Sequence, residues 1–254
     1  MNEMDEYKNF CKVLADASAK IIKKYFRTSV TIDIKKDNSP VTIADKKAEE
    51  VMRELIIKYF PDHGIFGEEF GETNKEADYV WVLDPIDGTK SFICGAFSFG
   101  TLIALLKNGN PILGVYNHPI LIDFLIGDNT ETRINGEKTL VRDCEHLADA
   151  VLLTTDHLNI EKHQNAEKFY KLIKKVKLYR NWGDCYGYYL LATGYADIMI
   201  DPIMSKWDLL PLIPIIKGAG GIITDYNGND PVKGNSIIAA SKKIHPEVVA
   251  ILND

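Results

Sequence analysis

The chain has 254 residues, 46% of them apolar, enough for a substantial core in one large domain or two closely packed smaller ones, and this argues against disorder. Its formal charge is -6, and Lys and Arg gather only in short pairs such as Lys174-Lys175, so no nucleic-acid partner is expected. No apolar run reaches the ~18 residues of a membrane span, Met1 to Lys8 lacks the apolar stretch of a secretory signal, and the four cysteines are scattered like reduced thiols. A cytoplasmic, soluble protein with no membrane partner is the expectation.

From Tyr7 to Tyr25 the apolar residues Tyr7, Phe10, Cys11, Leu14, Ala17, Ile21, Ile22 and Tyr25 recur at helical spacing. A polar loop through Lys35 and Lys36 leads to a second amphipathic helix, with Ala48, Val51, Met52, Leu55, Ile56 and Tyr59 inward and Pro61 and Gly64 as its stop, which puts Asp45 near its N-terminus. Tyr79 to Leu83 predicts a short strand ended by Asp84-Pro85, since proline cannot continue the ladder. Phe99 to Leu106 and Ile112 to Tyr116 predict a hairpin, so an antiparallel sheet belongs to the first half.

After about Arg142 strand and helix alternate. The pattern predicts a strand at Val151 to Thr155, helices at His163 to Val176 and Cys185 to Ala196, and a strand at Asp197 to Ile200. A helix opening at Trp207-Asp208 follows, with Pro211 and Pro214 tolerable near its first turn. Strands at Gly221 to Thr224 and Ser236 to Ala240 and a closing helix from Pro246 end the chain. His118, His157 and His163 occur singly and read as surface histidines, and Tyr186, Tyr188 and Tyr189 as packing.

The densest chemical signal is Asp84-Pro85-Ile86-Asp87-Gly88-Thr89, two carboxylates three residues apart at the end of a strand. Hard cations such as Mg2+ take oxygen ligands, and a rigid strand end supplies carboxylates with little ordering cost. Gly88 and Thr89 could offer backbone N–H groups to a phosphate oxygen. Asp-Pro and Asp-Gly are also ordinary turn formers, so the motif alone does not decide. Two more acidic clusters, Gly67-Glu68-Glu69 and Trp207-Asp208, each follow or open an apolar segment and are ordinary helix caps or solvated ends when taken singly.

The run Tyr79-Val80-Trp81-Val82-Leu83-Asp84-Pro85-Ile86-Asp87-Gly88-Thr89-Lys90-Ser91-Phe92 resembles the signature of the inositol-monophosphatase-like family of metal-dependent phosphatases. Ser39-Pro40-Val41-Thr42-Ile43-Ala44-Asp45, Gly67-Glu68-Glu69, and Trp207-Asp208 followed by Gly218-Ala219-Gly220-Gly221 resemble its other blocks, in order, across nearly the whole chain. The resemblance implies the layered αβαβα sugar-phosphatase fold of inositol monophosphatase and fructose-bisphosphatase, of α+β and α/β character. An N-terminal part over residues 1–140 would carry most metal ligands, and a C-terminal part over 141–254 would carry Asp208 and the substrate contacts.

By the same resemblance Glu68, Asp84 and the carbonyl of Ile86 would hold one Mg2+, and Asp84, Asp87 and Asp208 another, with two or three ions in all. Thr89 would pair with Asp45 to deprotonate the attacking water. Glu69 would be either a supporting group or merely exposed, and Lys35 or Lys36 would match the family's basic loop residue. Lys90-Ser91-Phe92-Ile93, Phe99 to Leu105 and Gly183 to Tyr188 resemble the histidinol-phosphate phosphatase branch, where Asp184 and Asp201 would bind substrate, two carboxylates suiting a cationic amino alcohol. The family more often has glutamate at 201, and Trp207 is more like the inositol-phosphate branch. Histidinol phosphate therefore leads, inositol 1-phosphate follows, and a nucleotide 3'-phosphatase, a fructose-bisphosphatase or a non-catalytic regulatory module trail; a homodimer is implied as well.

Overall fold

The structure, a computed structural model, describes residues 3–29, 32–34 and 40–254, so the Lys35-Lys36 pair and Ser39 lie outside the described residues. The first half runs α1 (Glu3–Tyr25), β1 (Ile32–Ile34), β2 (Pro40–Thr42), α2 (Ile43–Tyr59), β3 (Gly64–Gly67), β4 (Gly71–Thr73), β5 (Tyr79–Asp87), α3 (Thr89–Ile93), β6 (Gly100–Lys107), β7 (Asn110–His118), β8 (Asp123–Gly127), β9 (Thr132–Ile134) and β10 (Glu137–Thr139). The second runs β11 (Val151–Thr154), α4 (His157–His163), α5 (Ala166–Ile173), β12 (Leu178–Arg180), α6 (Asp184–Ala192), β13 (Ile198–Asp201), α7 (Lys206–Gly218), β14 (Ile222–Thr224), β15 (Ile237–Ala240) and α8 (His245–Asn253).

Alternating apolar residues on the strands build the layers, because successive side chains on a strand leave opposite faces of its sheet. Trp81 and Leu83 pack into one core with α1 and α2, whereas Val82 between them packs into another with α6 and α7. These residues belong to an eight-stranded sheet of order β10-β9-β8-β7-β6-β5-β3-β4, antiparallel except where β3 runs parallel to β5. The second sheet, β12-β11-β13-β15-β14, repeats the device: Met199 joins the α6–α7 core and its neighbours Ile198 and Ile200 join α5 and α8. Helices, sheet, helices, sheet, helices is the αβαβα architecture expected from the sequence.

Several local expectations are corrected. Strand β5 runs on past Pro85 to Asp87, because the ladder to β6 skips from Asp84–Leu102 to Asp87–Gly100 and asks nothing of the proline nitrogen. The helix expected over His163 to Val176 is shorter, α5 over Ala166–Ile173, opening where Asn165 Oδ1 accepts from the Lys168 amide at 3.1 Å, and an unexpected helix, α4, precedes it over His157–His163. Pro211 and Pro214 lie well inside α7 without breaking it. Farther along the helix the Asn129 amide donates to Pro214 O at 3.3 Å and Thr132 Oγ1 to Ile215 O at 2.7 Å, tying α7 to the segment between β8 and β9. The helix thereby presses onto β7, where a Cβ on Gly114 would stand 1.9 Å from Pro211 O.

His118 is fully buried rather than on the surface: Nε2–H donates to Phe97 O at 2.6 Å and Nδ1 accepts from the Leu121 amide at 3.1 Å. Burial pushes His118 and His245 below the usual histidine range. The unfolded chain takes up protons at these rings near pH 6.5 while the folded chain refuses them until lower pH, so their contribution is complete above that value and is lost as pH falls below it. His118→Asn should therefore lose less unfolding free energy between pH 7.5 and 5.5 than the wild type, by up to about 1.4 kcal/mol, the worth of one pKa unit, as read by urea denaturation at both pH values. Equal losses would show that His118 takes up a proton as readily in the folded protein as in the unfolded chain. No helix among the described residues is long and apolar enough to cross a membrane.

Candidate active site

Three carboxylates converge because of the irregular step in β5. In a regular strand residues three apart face opposite sides; the skip between Asp84 and Asp87 turns both to the same side. Asp208 arrives from the first turn of α7, where its Oδ2 accepts from the Ser205 amide at 3.2 Å and so caps the helix. One oxygen from each of Asp84, Asp87 and Asp208 lies within 4.8 Å of the others. Glu68 follows β3, its amide tied to Leu83 O at 3.1 Å, and its charge acts on both Asp84 and Asp208.

Burial, then the charges of Glu68, Asp87 and Asp208, hold Asp84 well above the usual carboxylate range. Asp87 is raised by burial and by Asp184 and Asp208, against the hydrogen bond from the Cys185 amide. Asp208 is pushed up to about 7, mainly by burial. Asp84 Oδ1 is buried and has no hydrogen-bond partner among the described residues. An orphaned buried acceptor costs about 1–3 kcal/mol, and gathered like charges add to that. A hard divalent cation, which takes carboxylate oxygens, answers both deficits, so the donor set fits such an ion.

Asp45 and Thr89 meet beside this cluster. Asp45 is the third residue of α2, and its Oδ2 takes the Thr42 amide at 2.8 Å and the Thr42 hydroxyl at 2.5 Å. That leaves Oδ1 for Thr89 Oγ1, 3.3 Å away, which also stands 3.0 Å from Ile86 O. Burial raises Asp45, suiting it to receive a proton. Thr89 opens α3 behind Gly88, whose φ of 86° and whose Ser98 O neighbour, 2.7 Å from a would-be Cβ, leave room for no side chain.

Asp184, Asp201 and Thr155 form a second group. Thr155 Oγ1 accepts from the Asp184 amide at 2.8 Å, and the Thr155 amide donates to Asp201 Oδ1 at 3.2 Å. Asp184 adopts a left-handed φ of 50° at the start of α6 and is raised to about 6 by burial, with Lys90 acting against it. A cavity of about 480 Å³ is lined by Glu68, Asp84, Ile86, Asp87, Gly88, Thr89, Asp184, Trp207 and Asp208. Asp201 is 5% exposed, gives its other oxygen to the Tyr188 hydroxyl at 2.9 Å, and lines an adjoining recess of about 80 Å³ with Asp184 and Asp208.

The structure thus brings Glu68, Asp84, Ile86, Asp87, Gly88, Thr89, Asp184 and Asp208 to one cavity, with Asp45 against Thr89 and Asp201 behind Asp184. Thr42, Thr155 and Cys185 escaped the reading of the sequence. Thr42 had a signal in the capping-box spacing Thr42-x-x-Asp45; Thr155 and Cys185 had none, since long-range packing brings them in.

The model of the inositol monophosphatase family matches residues 3–254. The chain is 51% identical over 231 residues to the bifunctional phosphatase IMPL2, chloroplastic, of Arabidopsis thaliana, covering 89% of this chain and 66% of that one. It is 37% identical to the histidinol-phosphatase of Chlorobaculum parvum, over 95% and 94% of the two chains. The solved structure of an inositol monophosphatase from Zymomonas mobilis superposes with a TM-score of 0.89 at 38% identity, over 100% of both chains.

Proposed function

This chain belongs to the inositol monophosphatase family and is a phosphoric monoester hydrolase, and from that premise we propose that it is a Mg2+-dependent phosphatase of histidinol phosphate. Enzymes of this family use metal ions, and the acidic cluster for one is present. The observation that carries the reading is the convergence of Asp84, Asp87 and Asp208, with the buried Asp84 Oδ1 finding no donor among the described residues. These three, with Glu68 and the Ile86 carbonyl, are the groups that would hold Mg2+. Bound there, Mg2+ supplies positive charge to the phosphoryl and leaving oxygens and lowers the pKa of a water.

The chain's own residues divide the remaining work. Thr89 takes a proton from the attacking water as it passes its own to Asp45 Oδ1, the water oxygen bonds to phosphorus, and the phosphorus–alcohol oxygen bond breaks, its electron pair leaving on the alcohol oxygen, which takes a proton from solvent water. The Gly88 and Thr89 amides orient the phosphate. Asp184 receives the substrate's ammonium group, and Asp201 steadies Asp184 through Thr155. A Cβ on Gly88 would lie 3.2 Å from Asp184 Oδ2, so a substrate whose cation sits a few atoms from its phosphate reaches both. That spacing favours an amino alcohol phosphate over a neutral polyol, and relatives named histidinol-phosphatase support it. Inositol 1-phosphate is the second reading, supported by the Zymomonas mobilis likeness.

The test is phosphate release with Mg2+ and after EDTA, on both substrates. EDTA should remove nearly all turnover, and histidinol phosphate should have the larger kcat/KM. Asp184→Asn should lower kcat/KM for histidinol phosphate about 30- to 150-fold, the 2–3 kcal/mol of an uncoupled buried charge. Inositol 1-phosphate should lose far less. Equal losses on both substrates would remove Asp184 from cation recognition, and turnover indifferent to EDTA would end the metal reading.

A further inference from the structure

We infer that Glu49 is a positioning residue, whose buried carboxylate fixes the turn carrying Glu68 and thereby sets the cation affinity of the site. The inference rests on the reading above that Glu68 is a cation ligand. Glu49 lies one helical turn after Asp45 on the same face of α2 and has no exposure to solvent. Its Oε2 accepts from the Glu69 amide at 2.7 Å and its Oε1 from the Phe70 amide at 3.2 Å, the two residues directly after Glu68. Arg53 Nη1 stands 3.0 Å from the same Oε1.

The Arg53 guanidinium extends the clamp along the turn, donating to Gly71 O at 3.0 Å and to Thr73 Oγ1 at 2.6 Å. Residues 69 to 73 are therefore stapled to α2. Gly67 completes the fit: a Cβ there would stand 1.9 Å from Glu49 Oε1, so glycine alone leaves room for the carboxylate beneath the turn. On its other side the Glu68 amide is held by Leu83 O, one residue before Asp84. Glu68 thus sits between two anchors, one on the strand that carries Asp84 and one on the helix that carries Asp45.

Stability alone gives no reason for this arrangement, because a buried ion pair is often matched by apolar residues of similar volume. A carboxylate that takes two consecutive amides does what apolar packing cannot: it fixes the path of a turn. Charge-assisted bonds of this kind are short and directional, and residues behind a ligand typically govern metal affinity by about 10- to 100-fold. Glutamine cannot replace it, since one of its two terminal atoms is a donor that would face an amide N–H.

The test is calorimetric titration of the full chain with Mg2+, for wild type, Glu49→Gln, Arg53→Lys, Glu68→Gln and the double variant Glu49→Gln/Glu68→Gln. Glu49→Gln should raise the Mg2+ Kd about 10- to 100-fold while kcat at saturating Mg2+ stays near the wild-type value. Arg53→Lys, which keeps the charge but loses the fork, should raise Kd by a smaller factor and carries the test should Glu49→Gln fail to fold. In the double variant Kd should match that of Glu68→Gln alone. Unchanged Kd in Glu49→Gln or Arg53→Lys beside a weakened Glu68→Gln overturns the inference and leaves the ligand reading standing. Losses that multiply in the double variant overturn it too, and an unchanged Kd in Glu68→Gln overturns both.

Discussion

Asp84→Asn should reduce phosphate release at least ~10³-fold, about 4 kcal/mol of lost transition-state stabilisation, and at the same time raise the Tm of the cation-free protein. Asp84 is the point at which the acidic cluster meets: Glu68, Asp87 and Asp208 all act on it, and its buried Oδ1 has no donor among the described residues. Asparagine keeps the shape but removes one charge from a group of three whose oxygens lie within 4.8 Å. At an effective dielectric of about 20, relief of one such repulsion is on the order of 1–3 kcal/mol, or about 2–4 °C of Tm per kcal/mol for a chain this size. Saturating Mg2+ should reverse the order, stabilising the wild type more than the variant, because a ligand stabilises only as far as it binds the folded state. A variant less stable than wild type without cation would mean that Asp84 is structural, and retained activity would mean that it is not a ligand.

How far this site could be read from the sequence depended on whether each residue owes its position to local rules. Asp45 and Asp208 were legible because both cap helices, and capping leaves a signature within four residues. Asp84 and Asp87 were legible as a motif, yet the reason they face one way was not: Pro85 read as the end of a strand, whereas it marks a skip inside one. The layered cores were written in the alternation of Trp81, Val82 and Leu83 and of Ile198, Met199 and Ile200.

Elements that tertiary packing decides were not legible. β9 and β10 are three residues each and mostly polar, and β8 is only five residues long, so their addition beyond β7 gave no local pattern. Likewise α7 tolerates two prolines in a helix packed against β7 and tied at Pro214 O and Ile215 O to the Asn129–Thr132 segment, contacts supplied by residues far away in the chain. Asp184 adopts a left-handed backbone that no property of aspartate demands, and Thr155, 29 residues earlier, is what holds it. Polar residues that act through another residue, such as the buried Glu49 and the half-buried Thr155, are the class a single sequence hides best.

Thr89→Val should lower kcat about 10²- to 10⁴-fold, the range for loss of a positioned proton-transfer group, with the Mg2+ Kd unchanged. Valine matches threonine in volume and removes only the hydroxyl that stands between Asp45 Oδ1 and Ile86 O. Asp45→Asn should fall in the same range, because asparagine still offers an oxygen to the Thr42 amide, and so keeps the cap of α2, but accepts no proton. If the two act as one relay, the double variant should be no slower than the slower single one, since groups that work as a unit are not additive. Thr89→Ser, which restores the hydroxyl, should recover most of the rate. Unchanged cation affinity separates this pair from Asp84, where affinity and rate fall together. Multiplying losses, or a Thr89→Val enzyme that keeps its kcat, would leave Thr89 an ordinary first residue of α3 and assign the proton to another acceptor.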